Sequence, residues 1–309
     1  MATPRILFFG YSEVGYAALE LLLARGCVVA GVFTHTPDAG EKNWFRSVPA
    51  LAEARGLPVF TPDSLKDPAW VERVQALRPD LILSFYYRNM IPERLLALAP
   101  LGAFNLHGSL LPRYRGRAPL NWAIINGEDH TGVSLHVMVK EADAGDLVDQ
   151  EKIPIGPEEP VTAVLDRVRE AAVKVLARQL DGLLAGRAPR TPQDHALATY
   201  FGKRTAADGR IAWSQPARPV FNLVRAVTHP FPGAFTEVEA EGIAHRLHIW
   251  WGRVRNETLA QPAAPGTVLQ VSPLVIACGE GAFEVTESAW GALSAETGPP
   301  ALAVGDVCR

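Results

Sequence analysis

Cysteine is scarce: three residues in 309, Cys27, Cys278 and Cys308, far apart and with no Cys-x-x-Cys pair. An odd, scattered set excludes a disulfide framework, offers no zinc site and fits a reducing cytoplasm. The expectation is two small buried residues and a tail thiol. No apolar run approaches the ~18 residues of a membrane span. The opening Met1-Ala-Thr-Pro-Arg-Ile-Leu-Phe-Phe-Gly10 enters a strand pattern too soon for a secretory signal. An excess of one charge is also lacking. The 30 Lys and Arg against 33 Asp and Glu give a net charge of −3, which excludes the global basic footprint of a dedicated nucleic-acid binder but not a local patch. What is present is ordinary globular material, 48% hydrophobic and 20% charged. At about 100–200 residues per domain the length suggests two domains.

The first part alternates strand and helix. Arg5 to Phe9 is an apolar run, followed by helical spacing through Val14, Ala17, Ala18, Leu21 and Leu22, with Gly26 as a stop. Val28–Phe33, Val59-Phe60, Leu81–Phe85 and Ala103–His107 read as strands. Helical stretches lie near Val48–Arg55 and Pro68–Leu77. Val133, Leu135 and Val137 alternate with Ser134, His136 and Met138, the pattern of a half-buried strand. A long amphipathic helix follows from Val161 to Leu184, with Thr162 as its expected cap. The expectation is an α/β fold, a doubly wound sheet with ligands beyond the carboxyl ends of its strands. An irregular polar connection runs from Ala188 to about Arg204. Beyond it, one helix over Val220–Val227 and closely spaced short strands suggest a small β-barrel or sandwich.

Most polar features have ordinary explanations. Gly10-Tyr-Ser-Glu-Val-Gly15 is not a dinucleotide fingerprint, and a tight turn explains it better than an anion site. His245 and His248 fall on opposite faces of a strand, so they do not converge on a metal. The informative stretch is Asn105 to Asp143. Asn105 and His107 share one face of a strand that ends at Gly108, and Asp143 lies in a second strand-end loop. A carboxylate can orient a histidine and favour its imidazolium. An asparagine amide can stabilise a developing oxyanion. Together they suit acyl transfer to an amine, by direct attack rather than through a covalent intermediate, since no nucleophile with a base is present. Asn-x-His pairs also occur as satisfied strand-end groups, so spacing alone leaves both readings open.

Asn105-Leu-His107, the loop Ser109-Leu-Leu-Pro-Arg-Tyr-Arg-Gly116 and Asp143-Ala-Gly145, in that order, resemble the signature of 10-formyltetrahydrofolate-dependent formyltransferases. The resemblance covers essentially the whole chain. It implies a Rossmann-like formyltransferase domain over residues 1–203 and a smaller OB-like C-terminal domain over 204–309. It also implies catalytic roles for Asn105, His107 and Asp143, with Asp143 orienting His107 and raising its pKa. The 10-formyltetrahydrofolate co-substrate would lie against Asn89, Met90, Ile91, Arg117, Val139, Lys140, Glu141, Ala142 and Asp143, and no metal is required. Phe33-Thr-His-Thr, Gly40-Glu-Lys, Ser84-Phe-Tyr-Tyr-Arg88, Arg115-Gly-Arg-Ala-Pro-Leu-Asn-Trp122 and Val139 to Asp143 are similar to members that formylate UDP-4-amino-4-deoxy-L-arabinose, a step of lipid A modification and polymyxin resistance. Such a member continues into a decarboxylase domain, where this sequence stops at Arg309. Members that formylate methionyl-tRNA share the signature but carry a Lys- and Arg-rich insertion after the second strand; here His35 to Arg46 is short and mixed in charge. A formyltransferase for another nucleotide-linked amino sugar is the further alternative. The implied partners are folate and an amino-sugar nucleotide, with no membrane and no nucleic acid; a homo-oligomer is left open.

Overall fold

Ile6 to Phe9 are fully buried, as a central strand covered on both faces requires. The computed structural model describes residues 3–37, 44–240, 243–255, 263–291 and 300–309. Contacts group residues 1–119, 130–154 and 165–202 into one unit and 120–129, 155–164 and 203–309 into a second.

The elements follow in chain order: β1 (Arg5–Gly10), α1 (Ser12–Ala24), β2 (Val28–Phe33), α2 (Val48–Glu53), β3 (Val59–Phe60), α3 (Ala69–Leu77), β4 (Leu81–Phe85), α4 (Glu93–Leu96), β5 (Ala103–His107), β6 (Arg115–Gly116), α5 (Pro119–Ile125), β7 (His130–Val137), β8 (Leu147–Pro154) and α6 (Val161–Leu184). Seven strands form one sheet in the order β3-β2-β1-β4-β5-β7-β8. The first five run parallel, whereas β7 pairs antiparallel with both β5 and β8. The order reverses between β1 and β4, which opens the crevice where such sheets bind ligands. Leu7, Phe9, Phe33, Ile82 and Ala103 pack with Val74 and Leu95 of α3 and α4, and the Phe9 and Phe33 rings stack at 4.5 Å.

The periodicity over Val161–Leu184 gives a helix with those bounds, but Thr162 lies inside its first turn rather than capping it. The loop expected over Ser109–Pro119 contains β6, which pairs with β9 (Tyr200–Phe201). Of His35 to Arg46, residues 38–43, including Gly40-Glu-Lys, lie outside the described residues. Among the described residues no helix is long and apolar enough to cross a membrane.

The second unit carries α7 (Ala217–Val227) and the strands β10 (Ala234–Ala240), β11 (Ile243–Arg255), β12 (Val268–Val271), β13 (Leu274–Ala277) and β14 (Ala282–Trp290). They make one antiparallel sheet, β10-β11-β14-β13-β12. Its two edges share a partner. Residue Arg309 exchanges backbone hydrogen bonds with Glu237 of β10, while Val268 of β12 donates to Asp306 and Gly305 donates to Val268. The barrel-like expectation is thus met by a sheet whose edges are covered, which removes the hazard of open edge strands. This pairing buries Cys308 to 3% exposure, so the residue expected as a tail thiol is packed, and burial pushes its thiol up to about 12.

Cys308→Asp places a carboxylate at that buried position, and a loss of roughly 2 kcal/mol or more of stability is expected. Cys308→Ala is expected to cost far less. Urea unfolding of the two variants checks this, and equal midpoints would show that the segment does not hold the sheet.

Candidate active site

β5 delivers Asn105 and His107 to the carboxyl end of the parallel sheet. The antiparallel register of β5 with β7 sets Asn105 opposite His136 and His107 opposite Ser134. Directly opposed side chains on one face touch. Asn105 Nδ2 lies 3.1 Å from His136 Nε2. His136 Nδ1 donates to the Val137 carbonyl at 2.8 Å, so in the neutral ring Nε2 is the acceptor for the asparagine amide. Ser134 fastens the loop that leaves β5: its Oγ donates to the Ser109 carbonyl at 2.6 Å and accepts from Leu111 N–H at 3.0 Å.

Asp143 closes the group. Its Oδ1 is 3.4 Å from His107 Nδ1 and 3.4 Å from His136 Nε2, and Oδ2 accepts the Gly116 N–H at 2.9 Å. His107 Nε2 donates to the Tyr114 carbonyl at 2.7 Å. Three backbone features allow this approach. Asp143 has φ 56°, a left-handed conformation that Asp tolerates better than most residues. Gly116 has φ +97°, and a Cβ there would lie 2.3 Å from the Phe201 carbonyl oxygen. A Cβ on Gly145 would lie 2.0 Å from that of Val137.

Burial is the largest influence on Asp143 and would raise its pKa, but His107, His136 and the Gly116 N–H together hold the carboxyl well below its usual range. For His107 burial also dominates and pushes the ring below its ordinary value. The Asp143 charge and the Tyr114 carbonyl pull it back only in part, while His136 and Arg115 add to the fall. This corrects the expectation that Asp143 gives His107 a raised pKa: the sign of the carboxylate's influence is as expected, but desolvation outweighs it. The resting pair is a carboxylate beside a neutral imidazole. Such a group can donate a hydrogen bond from the second N–H of Asn105 and exchange a proton at His107.

The structure thus brings Asn105, His107 and Asp143 together and adds His136, which the sequence shows only as one polar position of an alternating strand. Its cue is the pairing opposite Asn105, visible once β7 is known to run antiparallel to β5. The remaining sequence-predicted residues are spread more widely. Asn89 and Met90 follow β4; Asn89 Nδ2 donates to the Asp63 carbonyl and Met90 is 59% exposed. Ile91 points away from solvent into the core with Leu95 and Val74. Val139, Lys140, Glu141 and Ala142 form the exposed approach to Asp143. Arg117 is exposed beside Gly116, its N–H donating to the Phe201 carbonyl. Among the described residues no group of three or more His, Cys, Asp or Glu is arranged to hold a metal ion.

Two family profiles match the chain: one described as formyl transferase over residues 5–180, and one described as formyl transferase, C-terminal domain, over residues 203–296. Solved structures share the fold. HypX from Aquifex aeolicus, in complex with tetrahydrofolic acid, aligns with TM-score 0.63 and 23% identity over 93% of this chain and 44% of its own. The chain therefore spans less than half of that protein. WlaRD, a sugar 3N-formyl transferase with dTDP and 5-N-formyl-THF, aligns with TM-score 0.67 and 16% identity, covering 92% of this chain and 97% of its own. An N-formyltransferase from Helicobacter canadensis, with folinic acid and dTDP-3-aminofucose, aligns with TM-score 0.69 and 16% identity over 93% and 100%.

His107 also sets a pH dependence. Its folded-state pKa lies below the ordinary 6.5, so as pH falls through that value the unfolded chain takes up a proton that the folded chain refuses. Its effect on stability is absent above that range and becomes destabilising below it. Unfolding free energies at pH 7.5 and 5.5 are expected to fall less steeply in His107→Asn than in the parent. Identical slopes would contradict the buried neutral ring.

Proposed function

The chain belongs to the formyl transferase family, and we propose that it moves the formyl group of 10-formyltetrahydrofolate to the amine of a nucleotide-linked amino sugar. The family makes it an enzyme of one-carbon transfer that uses formyl-tetrahydrofolate. The observation that carries the assignment of the site is the buried network of Asn105, His136, Asp143 and His107 at the carboxyl end of β5. The finer acceptor we propose is UDP-4-amino-4-deoxy-L-arabinose, which would give the protein a part in lipid A modification and polymyxin resistance in the cytoplasm. The stretches around Ser84–Arg88, Arg115–Trp122 and Val139–Asp143 support that choice, as does the chain's modest net charge of −3.

In the proposed reaction the uncharged sugar amine attacks the formyl carbon. The free N–H of Asn105 donates to the formyl oxygen as negative charge gathers there, a contribution on the order of 10²–10³-fold in turnover. His136, by accepting the other N–H, fixes the amide plane. The C–N bond to folate then breaks as the amine proton passes through His107 to the departing nitrogen, a relay worth about 10²–10⁴-fold. Both ring nitrogens of His107 face protein groups at rest, so for the relay Nε2 leaves the Tyr114 carbonyl and the ring's own proton moves to Nδ1 beside Asp143, which frees Nε2 to take the amine proton and pass it to the departing nitrogen. Asp143 stabilises the imidazolium that forms. Met90, exposed beside Asn89, gives the pterin an apolar wall, and Val139 to Ala142 with Arg117 contribute edge contacts and charge.

His107→Ala and Asp143→Ala are each expected to lower kcat by about 10²-fold or more in protein that circular dichroism shows to be folded at pH 7.5, with an unfolding midpoint below the parent's. Asn105→Ala is expected to lower kcat more than it weakens folate binding. Near-parental turnover in any of the three removes that residue from the mechanism. With 10-formyltetrahydrofolate as donor, mass analysis of an acceptor panel is expected to find the amino-sugar nucleotide one formyl group heavier. Formylation of charged initiator tRNA with the sugar nucleotides untouched would overturn the acceptor assignment.

A further inference from the structure

The polar stretch after α6 reads in sequence as a connection between domains, yet residues 191–201 bind the loops of the site. Thr191 exchanges backbone hydrogen bonds with Leu147, just beyond the Asp143 loop. Thr199 Oγ1 accepts the Tyr114 N–H at 2.8 Å, and its carbonyl accepts the Arg115 N–H at 2.8 Å. Phe201 stacks on Tyr114 at 4.9 Å. Tyr114 supplies the carbonyl that holds His107, and Gly116 supplies the N–H that holds Asp143, so this stretch sets both partners.

Gln193 is the central residue. It is 6% exposed, and its Nε2 donates to two carbonyls at once, Asp143 at 2.9 Å and Gly145 at 2.6 Å. Its Oε1 accepts from Arg115 Nη2 at 2.7 Å. Arg115, 1% exposed, is a buried guanidinium with no carboxylate among its described partners: besides Gln193, Nη1 donates to Tyr200 Oη at 2.6 Å and Nη2 lies 3.1 Å from His195 Nδ1. Burying a charge without a counter-charge is costly unless its hydrogen bonds are well placed. Arg115 fixes the plane of the Gln193 amide, and that amide clamps the carbonyls of Asp143 and Gly145, the residues on either side of Ala144. Asp143 there holds φ 56°, a conformation that persists only when its surroundings enforce it.

We propose that Gln193 is a positioning residue for formyl transfer: it holds the Asp143–Gly145 backbone so that one carboxylate reaches His107, His136 and the Gly116 N–H together, and Arg115 orients Gln193 for that task. This rests on the assignment of Asp143 to the reaction. Misplacement of a catalytic group by about 1 Å costs on the order of 10²-fold in rate. A residue acting through Asp143 loses its effect once Asp143 no longer works, whereas a residue supporting the fold in general does not.

The test is steady-state and single-turnover kinetics of Gln193→Ala and Gln193→Glu, alone and combined with Asp143→Asn, beside thermal melts and folate titration. Gln193→Glu keeps an acceptor for Arg115 while removing both donors, and it carries the test should Gln193→Ala fail to fold. The expected result is a kcat lower by about 10²-fold, KM for both substrates within about twofold, and no further loss when Asp143→Asn is already present. Parental kcat in a folded Gln193 variant, or losses that multiply in the double variant, would overturn the role of Gln193 while leaving the Asp143 mechanism standing. Parental kcat in Asp143→Asn alone would remove Asp143 from the reaction and Gln193 with it.

Discussion

A buried carboxylate that pairs with no lysine or arginine among the described residues is the constraint around which the catalytic unit is arranged. Asp143 is 11% exposed at its side chain; its Oδ2 accepts one backbone N–H, and its Oδ1 lies 3.4 Å from a nitrogen of each of two imidazoles. Removing one partner from a buried charge costs about 3–5 kcal/mol, so the partners must arrive together. Gly116 has to lack a side chain for its N–H to reach, Gly145 has to lack one to pass under Val137, and Asp143 has to accept a left-handed backbone. Each of these local requirements makes sense only through the carboxylate.

The sheet makes this arrangement available. Parallel strands deliver their carboxyl ends to one edge, and the switch to antiparallel pairing at β7 lets a neighbouring strand present His136 squarely against Asn105. A parallel strand there would need a longer crossover connection to reach the same edge of β5. Desolvation then sets the chemistry. It disfavours a charged His107 at rest, so the ring can accept a proton, and the low dielectric strengthens the pull of the Asp143 carboxylate on the imidazolium once formed.

Much of this was legible in the sequence, for physical reasons that differ by residue. Asn105 and His107 share a face because strand periodicity is two, and the glycine after them marks the strand end. Helix α6 was legible because its apolar spacing is long and regular. His136 was not, because its role depends on which strand lies beside β5, a non-local fact that alternation cannot carry. Tyr114 acts through its carbonyl, which every residue has. Gln193 and Arg115 sit in stretches whose proline and charge content mimic a linker and a surface loop. Ile91 was expected beside Met90 at a folate wall, yet its side chain packs with Leu95 and Val74 in the core while Met90 stays exposed. The lowered pKa of His107 was hidden for a related reason: sequence shows the neighbouring carboxylate, whereas the depth of burial is a property of the assembled unit.

The most direct test of the mechanism is a crystal structure of the protein with 5-formyltetrahydrofolate bound. The formyl oxygen is expected at about 2.7–3.1 Å from Asn105 Nδ2, with the formyl carbon facing His107 and Asp143 still accepting the Gly116 N–H. A formyl group bound away from both Asn105 and His107, with the Asp143 network undisturbed, would contradict it.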